Sequence, residues 1–210
     1  MTVCPPSRDS IKSLKPTTPG VVTPSPACAR ALQIAVTALQ SSGHDLIPLI
    51  PPSPPLEALY LASHLLVADG CKSVTSFLRP LERNDPGAAQ MSFYAKIPRP
   101  LKYLYYLYVR YIRRDEVWAG LLKDWYEKNV YEYQGLITKR EAYKAKWHEW
   151  WEREVEIDFL ITVPNATPAV PHDGMKEAVS SCGYTFLFNL VIIPPPSTGI
   201  KNHPLTPSSS

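Results

Sequence analysis

Proline constrains this chain more than any other feature. Twenty-three of its 210 residues are proline, and a residue that lacks a backbone N–H and fixes φ breaks helix interiors and central strands. The clusters "KPTTPG", "IPPSPPLE" at 50–57, "IPRP" at 97–100 and "PPPSTG" near the end therefore fall between elements. Residues 1–20, with Pro5, Pro6, Pro16 and Pro19, read as an irregular arm, and 191–210 as a disordered Pro/Ser tail. With 45% hydrophobic residues overall, the span 21–190 can bury the core of one domain.

Within that span the element signals are local. In "SPACARALQIAVTALQSSGH", Ser25 can cap a helix, Pro26 suits its first turn, and Gly43 can end it in a left-handed conformation. Ala31, Leu32, Ala35, Ala38 and Leu39 then share one face. "DLIPLI" follows as a short strand, so a helix-to-strand unit of α/β type is visible. Residues 54–69 read as a second helix stopped by Gly70, and "VEIDFLITVP" at 155–164 as a buried strand ended by Pro164.

The middle of the chain is the most distinctive. At about 100° per residue, Leu101, Leu104, Tyr105, Leu107, Tyr108, Val109, Tyr111 and Ile112 fall on one broad arc. Arg99, Lys102, Arg110, Arg113 and Arg114 fall on the other. Two readings fit: a helix packed on the core with a solvated basic face, or a helix lying in a membrane interface, where tyrosine tolerates the headgroup boundary and cations meet anionic lipid. The segment after it is dense in Trp, Tyr, Glu and Lys. Opposite charges at Asp124/Lys128, Lys128/Glu132 and Glu149/Arg153, set against like charges at Arg140/Lys144 and Glu152/Glu156, give only partial support for helix, and Gly135 predicts two helices or one broken there. Trp147, Trp150 and Trp151 lack a basic groove, so they read as core rather than as a platform for nucleic-acid bases.

Composition excludes several function classes. A net charge of +3 from 22 basic and 19 acidic residues does not announce a nucleic-acid partner. Cys4, Cys28, Cys71 and Cys182 form no CxxC pair, which predicts reduced, buried thiols and no metal site. No apolar run of about 18 residues and no signal-like leader occur, so the expectation is a cytoplasmic chain, at most peripheral at an intracellular membrane. The GxSxG, HExxH, P-loop and GxGxxG signatures are absent. Of five histidines, His172 beside Asp173 is the nearest to a proton-transfer pair, but it has no nucleophile partner; His44 and His148 read as structural. Ser180 and Ser181 lack the glycines that would expose a serine and open an oxyanion hole. No catalytic residue and no cofactor is assigned.

Five stretches nevertheless carry a resemblance: "VTPSPACARAL", "SSGHDLIPLIPP", "LLVADGCKSVTSFL", "IDFLITVPNATPAVPH" and "AVSSCGYTFLFNL". In order and spacing they are similar to the amidase signature family, most to its fungal amidases and fatty-acid amide hydrolase branch. The resemblance covers residues 21–190. It implies an α/β fold class: a partial amidase-signature fold, with helices packed on a few strands of a mixed sheet and a helix-rich middle. It also implies hydrolysis of carboxamides, fatty or aryl amides among them, through a Ser-cisSer-Lys triad. The family's Gly/Ser-rich signature lies upstream of everything matched, and the pattern stops at Leu190, so the expectation is the C-terminal fragment of such an enzyme, inactive alone, arising from a truncated gene or a gene-model artefact.

By position the resemblance places Leu66 and Val67 on the wall of a substrate channel. It makes 97–114 a membrane-binding cap, with Lys102, Tyr105, Tyr108, Arg110 and Arg113 at the interface. The partners implied are a small-molecule amide substrate and a membrane surface. The alternative reading is a non-catalytic α/β protein that binds membrane or a partner through the same helix.

Overall fold

The computed structural model describes residues 10–14, 22–78, 84–153, 160–174 and 179–191. Helix α1, Pro26–Ser41, starts as its sequence signals direct: Ser25 Oγ accepts the Cys28 N–H at 3.3 Å, Pro26 sits in the first turn, and Gly43 follows at φ +90°. Strand β1, Ser10–Leu14, pairs in parallel with β2, Asp45–Leu49, in the register Ser10↔Asp45 to Leu14↔Leu49. On its other edge β1 pairs in parallel with β3, Leu160–Ile161, giving the order β2-β1-β3.

Two expectations change here. The arm is not irregular throughout, because the proline-free window 7–15 is long enough for a five-residue strand. The pairings among the described residues are parallel, not mixed, since the chain leaves β1 through α1 and a helical crossover delivers the next strand parallel. Of the strand expected at 155–164, residues 155–159 lie outside the described residues, as do 192–210 of the expected tail.

Helix α2, Pro55–Leu66, is the pivot of the core. It is followed by the single turn α3, Lys72–Thr75, then α4, Pro86–Lys96, α5, Arg99–Leu107, and α6, Glu116–Lys123. The long helix α7, Val130–Arg153, and α8, Gly183–Val191, follow among the described residues. Leu59 of α2 joins Tyr94, Val109, Trp118, Leu121 and Trp125 in one apolar cluster; Ala58 and Leu61 join Tyr143, Trp147, Leu187 and Val191 in another. One helix with apolar residues on two sides thus ties two clusters into one body. A smaller cluster of Val163, Ala166 and Tyr184 receives Cys28 and Leu32 of α1. The Ser25 N–H donates to Ala166 O at 2.7 Å, yet no residue of α1 is buried and Ile34 is 63% exposed.

Helix α7 runs unbroken through Gly135, against the expectation of a break there. A glycine costs about 1 kcal/mol in a helix interior, and several contacts offset it. Asn129 Oδ1 accepts the Glu132 N–H at 2.8 Å while Glu132 Oε2 accepts the Asn129 N–H at 2.9 Å, a reciprocal capping box. Tyr143 and Trp147 are buried, and Arg153 pairs with Glu149 at 2.6 Å. The interruption falls earlier, in loop 124–129.

Candidate functional site

The candidate site is built on α5 and what surrounds its start. Prolines 98 and 100 fix the first turn of α5, and the helix passes directly into a π-helical turn, Tyr108–Ile112, where the Arg113 N–H donates to Tyr108 O at 3.1 Å. Tyr106 and Val109 point inward to the cluster around Trp118 and Leu121. Tyr105 and Leu107 pack partly against the same cluster, whereas Leu101, Leu104, Tyr108, Tyr111 and Ile112 are exposed, Ile112 by 71% and Leu104 by 60%. Spaced three or four residues apart, they form a stripe on the side away from the core. The helix thus packs on the core by part of its apolar arc and leaves the rest exposed.

The five interface positions expected from sequence separate into two groups. Tyr108, Arg110 and Arg113 are exposed beside the stripe. The Arg110 guanidinium donates to Tyr106 Oη and lies 5.6 Å from the centre of the Tyr111 ring, a hydrogen bond that holds its pKa above the ordinary arginine value. Tyr105 instead turns toward α4, accepting the Tyr94 O–H at 2.9 Å with the rings stacked at 5.4 Å. Lys102 also turns inward: its Nζ donates to Trp125 O at 2.9 Å and Ala95 O at 3.3 Å, and burial pushes its pKa down. An ammonium needs acceptors more than it needs water, and two backbone carbonyls supply them.

The Asp69-Gly70 turn adjoins this region. Gly70 at φ +72° and Cys71 at φ +64° are consecutive left-handed residues, and Asp69 Oδ2 accepts the Ser73 N–H at 2.7 Å, bonding that lowers the carboxyl pKa. Left-handed geometry at a non-glycine costs about 1 kcal/mol or more; here the Cys71 thiol is buried and accepts Trp125 Nε1–H at 3.2 Å. Burial raises the thiol pKa, so Cys71 is a packing group rather than a nucleophile. The expected channel residues diverge just before this turn: Val67 is buried in the core and Leu66 is 47% exposed.

Loop 124–129 closes the region. The Lys128 N–H donates to Ala68 O at 2.8 Å, anchoring the loop to the end of α2. Between loop and α5 lies a concavity of about 550 Å³ lined by Ile97, Arg99, Lys102, Tyr126, Glu127 and Lys128 among others. The Lys128 ammonium donates to Asp124 O at 2.7 Å, lies 3.3 Å from the centre of the Tyr126 ring, and is held below its usual pKa by burial. Arg99 lies over the same ring at 4.1 Å. Helical spacing pairs Asp124 with Lys128; the pair is present at 4.0 Å but in a loop, and Arg99 and Lys102 reach it from α5, too distant in sequence to signal a site together. Elsewhere, His172 and Asp173 lie in an exposed turn, and Ser181 is buried.

No family model matches the chain. Among the described residues, no helix is long and apolar enough to cross a membrane. An acetamidase of Aspergillus oryzae is 28% identical over 173 residues, which is 82% of this chain and 26% of that protein. Fatty-acid amide hydrolase 1 of Sus scrofa is 27% identical over 173 residues, 81% of this chain and 29% of that protein. A solved fatty acid amide hydrolase superposes on 87% of this chain and 26% of its own with a TM-score of 0.54 at 19% identity, which establishes the shared fold. The chain spans less than a third of each of these proteins: it is similar in sequence to two amide hydrolases and in fold to part of one.

Proposed function

We propose that this chain is the C-terminal part of an amidohydrolase of the amidase signature type, an enzyme cleaving carboxamide C–N bonds, and that it is inactive by itself. The observation that carries the proposal is the 173-residue alignment with both an acetamidase and a fatty-acid amide hydrolase. A Gly/Ser-rich signature with its serine nucleophiles is missing from the sequence, so the acyl-serine chemistry belongs to a segment not included in it. Exposed Ile34 on α1 and Ile50 after β2 support a covering segment of that kind. Within such an enzyme Leu66, exposed beside the Asp69-Gly70 turn, lines the acyl channel, while buried Val67 backs it from the core.

The substrate class is a small carboxamide, between acetamide and a long-chain fatty amide. The exposed stripe of α5 and the π-helical turn favours a second element of function, peripheral contact with an anionic membrane surface by an otherwise cytosolic protein.

Ammonia release from acetamide and from a long-chain primary amide, measured with the purified chain, is expected to stay at background; turnover would overturn the inactivity. Sequencing genomic DNA and full-length transcript upstream of Met1 and beyond Leu190 is expected to reveal an in-frame Gly/Ser-rich signature. Its absence from both would sink the amidohydrolase reading.

A further inference from the structure

We propose that the concavity between the start of α5 and loop 124–129 is a binding site for a phosphate group, held by Arg99, Lys102 and Lys128. The proposal is independent of both amide hydrolysis and membrane docking by the stripe.

Three cations line one concavity of about 550 Å³. Among the described residues Arg99 and Lys102 have no carboxylate ion pair, and Lys128 has one with Asp124 at 4.0 Å. Arg99 Nη2 donates to Glu127 O at 3.3 Å, Lys102 Nζ to two backbone carbonyls, and Lys128 Nζ to the Asp124 carbonyl, with the Asp124 carboxylate at 4.0 Å. The two acids on the lining have other partners. Glu127 Oε1 accepts Lys72 Nζ at 2.6 Å, outside the lining set, and Glu132 accepts the Asn129 N–H at 2.9 Å and the Tyr126 O–H at 3.1 Å. With Glu127 drawn to Lys72, the three cations face the carboxylates of Glu132 and Asp124, and an excess of positive charge remains in the concavity.

The donors are also held in place. An ammonium has three N–H groups and a guanidinium five, so after the carbonyl bonds each cation retains at least one for a ligand. The carbonyls of Trp125 and Ala95 fix Lys102, the Tyr126 ring carries both Arg99 and Lys128, and the loop is tied to Ala68 O. Burial already disfavours the charged lysines, and a bound anion would reverse that penalty. A phosphomonoester matches this geometry, since its several acceptor oxygens can take one donor from each cation while its charge offsets theirs.

The test titrates the full chain with inorganic phosphate at pH 7, followed by ³¹P line broadening and calorimetry. Saturable binding is expected, weakened at least tenfold in Arg99→Gln, an exposed position whose replacement leaves the near-ultraviolet circular dichroism unchanged. Arg30→Gln, on exposed α1 and outside the concavity, is expected to bind phosphate as the parent does. Vesicles of phosphatidylcholine with and without phosphatidic acid identify the source. Retention that depends on both phosphatidic acid and Arg99 assigns a lipid headgroup, and phosphate binding without such retention assigns a soluble phosphomonoester. Lack of saturable binding in both assays, or binding that Arg99→Gln leaves within twofold, overturns the proposal.

Discussion

Replacing Leu104 and Ile112 together by serine tests whether the outward stripe is a docking surface. Fully burying a leucine or isoleucine is worth about 1.5–3 kcal/mol. Leu104 and Ile112 keep 60% and 71% of their surface exposed in the fold, so inserting the pair into an apolar phase contributes about 2–4 kcal/mol. At 1.4 kcal/mol per decade this corresponds to a loss of roughly 30-fold to 1,000-fold in partition coefficient. Because both side chains point away from the core, the variant should melt within about 0.5 kcal/mol of the parent. The assay is co-sedimentation with vesicles of phosphatidylcholine and phosphatidylserine at low salt. Adding Arg110→Gln and Arg113→Gln should remove about 1 kcal/mol each, an effect that fades as salt shortens the screening length. If the double serine variant partitions within twofold of the parent, the stripe does not enter the membrane and the reasoning is wrong.

Four further outcomes follow from the packing. Asn129→Ala removes half of the α7 capping box and should lower stability by about 1 kcal/mol in urea unfolding. Trp147→Ala empties the centre of the cluster beneath α7 and should cost about 3–5 kcal/mol, read as a loss of Tm. Gly120→Ala places a methyl group against the Tyr60 ring, 2.6 Å from Cε1, and should destabilise by about 1–3 kcal/mol; a Tyr60→Leu background should relieve most of that. Desolvation pushes the Tyr143 phenol up to about 12 from its ordinary 10.0. The folded state therefore holds this proton longer than the unfolded chain, so the stability it contributes is present below pH 10 and lost as pH rises from 10 towards 12. Tyr143→Phe should flatten that part of a stability–pH curve.

The helix boundaries were legible because they depend on neighbours in sequence. Ser25, Pro26 and Gly43 set the limits of α1 through capping and backbone geometry alone, and Gly70 marks its turn for the same reason. The Asn129-x-x-Glu132 box was equally readable and would have placed the α7 start after the loop, ahead of the weaker argument from Gly135. Strand β1 was not readable, because a five-residue strand gains its stability from partners about 35 and 150 positions away rather than from its own pattern. Nor was the inward turn of Lys102: periodicity assigns a cation to the wet face, but the carbonyls of Trp125 and Ala95 decide otherwise.

That inversion bears on what covers α5. An ordinary surface helix sends apolar residues to the core and charges to water; here half-buried Lys102 turns toward backbone carbonyls while Leu101, Leu104, Tyr108 and Ile112 are exposed. Covering the stripe with protein would bring another apolar face across it and desolvate the exposed Arg110 guanidinium, a cost that a partner would have to offset. A lipid surface needs no such complement, since guanidinium groups stay in the headgroup layer while the apolar side chains go below it. Arg110 suits the second arrangement, stacked on the stripe's own Tyr111 and bonded to Tyr106. The two coverings differ in salt response: lipid binding should weaken steadily as salt rises, whereas an apolar protein interface with buried ion pairs should hold.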